Sequence, residues 1–173
     1  MTTNTTTYEM DPRDERTPNR HKQAQITRCN LASSSAAADS DGFTEQYYFL
    51  YGTLMDTSTL RDVLQLSSWP ELRPAKIVGY HCKLWGQFPA LLESGDEVHG
   101  MAYWVQSMTE LERLIGYEGD LYARKRCMIH FNNGQSQVLG STFVWCGDEA
   151  LLKEGDFDLK DYQMMRFEMT AQR

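Results

Sequence analysis

The sequence predicts an α+β domain built on a small mixed or antiparallel curved sheet or barrel, with short flanking helices. Strand-like segments outnumber helical ones, and short helices interrupt the run of strands. Composition also changes sharply at Gln46. Residues 1–45 are rich in Thr, Ser, Ala, Asp and Arg and poor in aromatic and branched apolar residues. Such a segment cannot bury enough apolar surface to offset its ordering entropy, so residues 1–45 read as a disordered tail and residues 46–173 as one domain.

The elements follow in order. YYFLYG reads as a short buried strand ended by Gly52. TLMDTSTLRDVLQL then turns into a helix, with Asp56 or Thr57 as its N-cap and Leu60, Val63 and Leu64 on one face. Strands are expected near residues 75–85 and 98–105, with Pro89 breaking the path between them. SMTELERLIGYEG reads as a helix with a capping box, since Glu110 follows Ser107 by three residues. Leu111, Leu114 and Ile115 form its expected buried stripe and Gly116 its stop. Two strands near 121–131 and 138–146 flank the turn Asn132-Asn133-Gly134, and GDFDLKDYQMMRFEM closes the domain as a short helix.

Composition limits the function classes. At 41 % hydrophobic and 12 % aromatic, the chain can build a sizeable core. With 24 acidic against 17 basic residues its formal charge is −7, which repels phosphate backbones and argues against sequence-independent nucleic-acid binding. No stretch approaches the roughly 18 apolar residues of a membrane-spanning helix. The N-terminus MTTNTTTYEMDPRDER lacks a signal-peptide core, so a cytoplasmic location is expected. Cys29, Cys82, Cys127 and Cys146 form no CxxC pair and read as reduced thiols.

Two places carry candidate chemistry. Tyr51-Gly52-Thr53-Leu54 joins a buried strand to a helix, and N–H groups converging at such a turn form a natural anion site. Taken alone, the motif is better read as a turn glycine with no further role, since strand–Gly–helix junctions are common. The second place is Tyr117-Glu118-Gly119, followed by Tyr122 and Arg124. A carboxylate set among aromatics loses solvation, gains proton affinity and becomes a useful proton shuttle. The opposing reading is a surface glutamate paired with Arg124. His81, His99 and His130 lack metal-ligand spacing, and Trp85, Trp104 and Trp145 read as core.

These motifs together resemble the gamma-glutamylcyclotransferase-like superfamily, most closely its fungal members. The resemblance rests on YFLYGTL, Gly79-Tyr80, Phe88-Pro89-Ala90, Val98-His99-Gly100 and the Tyr117-to-Arg124 signature, in that order. It covers about residues 46–165. It implies a small mixed barrel with outer helices and no metal or cofactor. It also implies a small-molecule γ-glutamyl substrate, split by attack of its own α-amine to release 5-oxoproline and an amine. Glu118 would be the acid/base, Gly52, Thr53 and Leu54 would hold the substrate carboxylate, and Tyr51 and Tyr122 would line the pocket. One position departs: many relatives carry an aspartate where this chain has Ile115. Two other readings follow from that departure and from the many aromatic residues. One is a non-catalytic binding module. The other is an acid/base isomerase or cyclase of fungal secondary metabolism. A monomer or dimer is expected.

Overall fold

Strand β1 (Gln46–Leu50) sets the layers, because its side chains alternate between two cores. Phe49 and the following Tyr51 join Ala75, Ile77, Leu91, Ile129 and Phe131 in the barrel interior. Tyr48 and Leu50 face outward and pack with Leu60, Leu64, Leu111 and Leu114 of two helices. This computed structural model describes residues 43–132, 134 and 136–171. The expected tail therefore lies outside the described residues up to position 42, as does Asn133 of the expected turn.

The other strands are β2 (Leu72–Trp85), β3 (Phe88–Val105), β4 (Tyr122–Phe131) and β5 (Gln137–Trp145). They close a barrel in the order β1-β3-β2-β4-β5, sealed by a parallel pairing of β1 with β5 at Tyr48 and Ser141. The remaining pairings are antiparallel. Closure leaves the sheet no free edge. The helices are α1 (Thr57–Leu64), α2 (Met108–Glu118) and α3 (Leu159–Ala171). Among the described residues no helix is long and apolar enough to cross a membrane.

The α+β barrel with outer helices agrees with the fold the sequence predicts, but several boundaries differ. Pro89 does not break the sheet. It lies in β3 opposite Leu84, whose backbone N–H and C=O both bond Lys153 at 2.8 Å. Proline's missing N–H therefore leaves no ladder partner unsatisfied. Gly116 does not stop α2, which runs on to Glu118 and is capped by Gly119 at φ +72°, with the Gly119 N–H bonded to the Ile115 carbonyl at 3.0 Å. Ile115 is 45 % exposed and leaves the buried stripe to Leu111 and Leu114. Trp145 is core, but Trp85 and Trp104 are 37 % and 38 % exposed. Cys82 and Cys127 are free thiols, as expected, whereas Cys146 is in a disulfide and corrects that expectation; Cys29 lies outside the described residues.

Asp56 ties the outer layer together. As N-cap of α1 it accepts the Thr59 N–H at 2.8 Å and the Ser58 and Thr59 hydroxyls at 2.5 and 2.8 Å. From α3 it accepts Gln163 Nε2 at 2.7 Å and Arg166 at 3.2 Å. Burial alone raises its pKa, but the hydrogen bonds from Ser58, Gln163 and Thr59 outweigh it and bring the carboxyl down to about 2. Asp56→Ala should cost about 2 kcal/mol in urea denaturation at pH 7. Because the folded pKa is depressed, that stabilisation is present above the ordinary value of 3.8 and is lost as pH falls toward 2. The gap between wild type and variant should close over that window.

Candidate active site

One open end of the barrel holds a cavity of about 280 Å³. Tyr51, Gly52, Thr53, Leu54, Glu118 and Tyr122 all line it, so the two segments singled out in the sequence meet in space. The register of α2 explains how Glu118 arrives there. Leu111, Leu114 and Glu118 stand at i, i+3 and i+7 on one helical face. The two leucines anchor that face in the outer core, and the turn gained past Gly116 carries the carboxyl to the cavity.

The Tyr51–Leu54 turn is built against Pro89. A Cβ on Gly52 would lie 2.7 Å from Pro89 Cγ, so only glycine fits there. The conformation itself is extended, at φ −133°. Close approach, more than a sharp bend, is what the glycine supplies. Thr53, Leu54 and Met55 then form a single 3₁₀ turn. The amides of Gly52, Thr53 and Leu54 have no acceptor among the described residues, as expected where a helical turn begins.

Hydrogen bonds lock these parts together. Thr53 Oγ1 and the Tyr117 hydroxyl are 2.7 Å apart, joining the turn to the end of α2. Tyr51 donates to the Phe143 carbonyl at 2.7 Å, and Tyr122 donates to the Pro89 carbonyl at 3.1 Å. Both phenol protons are thereby committed to the frame, so these two tyrosines act as fixed walls. Burial pushes both phenols upward, and the Glu118 carboxylate adds to this in each.

Glu118 forms no hydrogen bond or ion pair among the described residues. Arg124 does not partner it; the Arg124 guanidinium instead acts on the Tyr48 phenol, partly offsetting the rise that burial causes there. Loss of solvation alone pushes the Glu118 carboxyl up to about 7. At neutral pH it therefore exchanges a proton with little cost in either direction. Ile115 does not line the cavity. Tyr117, which flanks Glu118 in the sequence, does, and so do Trp85, Phe88, Pro89 and Phe143, none of which was expected there. The available signal was Gly86, whose φ of +62° marks a hairpin tip and so brings Trp85 and Phe88 to a sheet end.

Residues 48–163 match the family described as gamma-glutamyl cyclotransferase, AIG2-like. No curated protein matches the chain. Two solution structures of Arabidopsis thaliana proteins share the fold, each at 23 % identity and a TM-score of 0.56 over 78 % of this chain, covering 91 % and 82 % of theirs. A crystal structure of an AIG2-like protein from Mus musculus does so at 18 % identity and a TM-score of 0.51, over 67 % of this chain and 90 % of its own.

A carboxyl whose folded pKa exceeds its ordinary 4.5 lends stability below that value and loses it as pH rises through about 7. Glu118→Gln removes the group that must ionise. The variant should be more stable than wild type by roughly 1–3 kcal/mol at pH 8 and equal to it near pH 4, as read by urea denaturation.

Proposed function

The chain belongs to the AIG2-like gamma-glutamyl cyclotransferase family, and from that premise we propose that it cleaves a γ-glutamyl amide with Glu118 as acid/base. The observation that carries this reading is one unpaired carboxyl, raised to about 7, in a cavity lined also by the Gly52–Leu54 turn, whose amides have no acceptor among the described residues.

The reaction is an intramolecular acyl transfer. The substrate's α-amino nitrogen attacks its own γ-carbonyl carbon and forms a five-membered ring. The amide C–N bond then breaks, leaving 5-oxoproline and a free amine. No water enters. The site's main task is to fold the substrate so that nitrogen and carbonyl meet. In this reading the turn amides hold the α-carboxylate, an anion suited to orphan N–H groups. Tyr51 and Tyr122 form the side walls.

Proton traffic needs one group. A free α-amine has a pKa near 8, so it arrives mostly protonated at neutral pH. The Glu118 carboxylate takes that proton as the ring closes, because its own pKa lies close to the amine's. The same carboxyl returns it to the departing nitrogen. The chemistry balances without an added base, oxidant or cofactor.

A binding module without turnover drew its support from Ile115. That side chain lies outside the cavity, so the departure at this position does not alter the lining. A second reading retains support: an acid/base isomerase or cyclase acting on a larger, less polar ligand. It rests on cavity walls that are mainly aromatic and apolar.

Mass-spectrometric detection of 5-oxoproline from a panel of γ-glutamyl amides separates the two. Release is expected from the wild type, with Glu118→Gln slower by about 10²–10⁴-fold. A Glu118→Gln protein at wild-type rate would remove the acid/base assignment, and no release from any member would favour the second reading. The value of kcat/KM should fall below pH about 7 as Glu118 takes up its proton.

A further inference from the structure

The β2–β3 hairpin ends in a two-residue tip, Gly86-Gln87, that sets Trp85 opposite Phe88. Both aromatics line the cavity, yet they remain 37 % and 39 % exposed. They form its rim. Trp85 packs on Trp145 in a tilted contact at 5.4 Å, and Trp145 meets Tyr122 edge-on at 5.4 Å. A continuous aromatic path thus runs from the rim to the wall beside Glu118. Large apolar rings left half open at a cavity mouth are surface for an occupant to cover.

The charge pattern narrows that occupant. Among the described residues, no Lys, Arg or His lines the cavity, and its one ionisable carboxyl is Glu118. The cation next to the hairpin tip, Lys83, is bonded to Glu154 at 2.7 Å. Beside the tip, a groove containing Gln87 is lined by Asp156, Asp158 and Asp161. The turn amides at Gly52–Leu54 can satisfy one carboxylate, and among the described residues no cation lines the cavity to satisfy another. An anion placed there would lose solvation without gaining a counter-charge.

We propose that the Trp85–Phe88 rim selects γ-glutamyl conjugates of uncharged aromatic or alkyl amines and rejects leaving groups that carry a carboxylate. This rests on the γ-glutamyl reading above and gives its substrate class. It also accounts for the apolar walls, which would face the leaving amine while the turn amides face the glutamyl end.

The test compares two probes that differ by one carboxylate, γ-glutamyl-phenethylamide and γ-glutamyl-phenylalanine. Their affinities for Glu118→Gln protein are measured by titration calorimetry, which needs no turnover. The phenethylamide should bind about tenfold tighter or more, since the other probe brings an unpaired charge to the rim. Adding Trp85→Ala or Phe88→Ala should weaken the phenethylamide about three- to tenfold. The same changes should leave γ-glutamyl-methylamide unaffected, which shows that the glutamyl end is intact. Equal or tighter binding of the phenylalanine probe, or binding of neither, overturns the inference. Release of 5-oxoproline by the wild type is scored separately. Selective binding without release upholds the selectivity and removes the cyclotransferase reading, and release without selectivity does the reverse.

Discussion

Helix α2 is held to the barrel by Leu111 and Leu114, and the same register brings Glu118 to the cavity. The raised proton affinity of Glu118 depends on that register alone, because loss of solvation is its single cause. A helix ending at Gly116 would leave the carboxyl on an exposed loop. Gly119 sets the true end, since its positive φ halts the helix one turn later. Where the helix stops therefore decides whether the acid is ordinary or useful.

The barrel supplies the rest of the geometry. β1 serves both cores, with Phe49 and Tyr51 turned inward and Tyr48 and Leu50 turned toward the helices. The turn after β1 cannot drift, because Gly52 sits against the Pro89 ring and Tyr51 bonds the Phe143 carbonyl of β5. Tyr122 of β4 fixes Pro89 from the other side. Three strands thus hold a single turn in place, and the Thr53–Tyr117 bond couples that turn to α2. A site framed this way is preorganised by strands and a helix, with little left to loop motion.

Local chemistry in the sequence foretold much of this. Asp56 and Ser107 cap helices where their side-chain oxygens suggested, and Leu60, Leu64, Leu111 and Leu114 fall on the buried faces that periodicity assigned. What sequence concealed was tertiary. Gly116 and Gly119 look alike as stop signals, because an internal glycine costs a helix only about 1 kcal/mol. Pro89 looked like a breaker, since its compensation by Lys153 lies far along the chain. Trp85 looked like core because strand aromatics are usually buried, and its exposure follows from the hairpin tip. The cavity itself was legible only as two separate motifs. Their meeting spans 64 positions between Thr53 and Tyr117.

Helix α3 stands apart from this frame. It buries no residue of its own, and Met164, Phe167 and Met169 remain open to solvent. Its attachment is polar: Gln163 and Arg166 on Asp56, and the Tyr162 hydroxyl 3.3 Å from Thr59 Oγ1. Contacts of that kind are weakened by ionic strength far more than apolar packing is. The molecule therefore has two tiers of cohesion. The barrel with α1 and α2 is held by buried apolar packing, whereas α3 is held at its surface by polar contacts, among them Tyr162 beside the cavity-lining Tyr117.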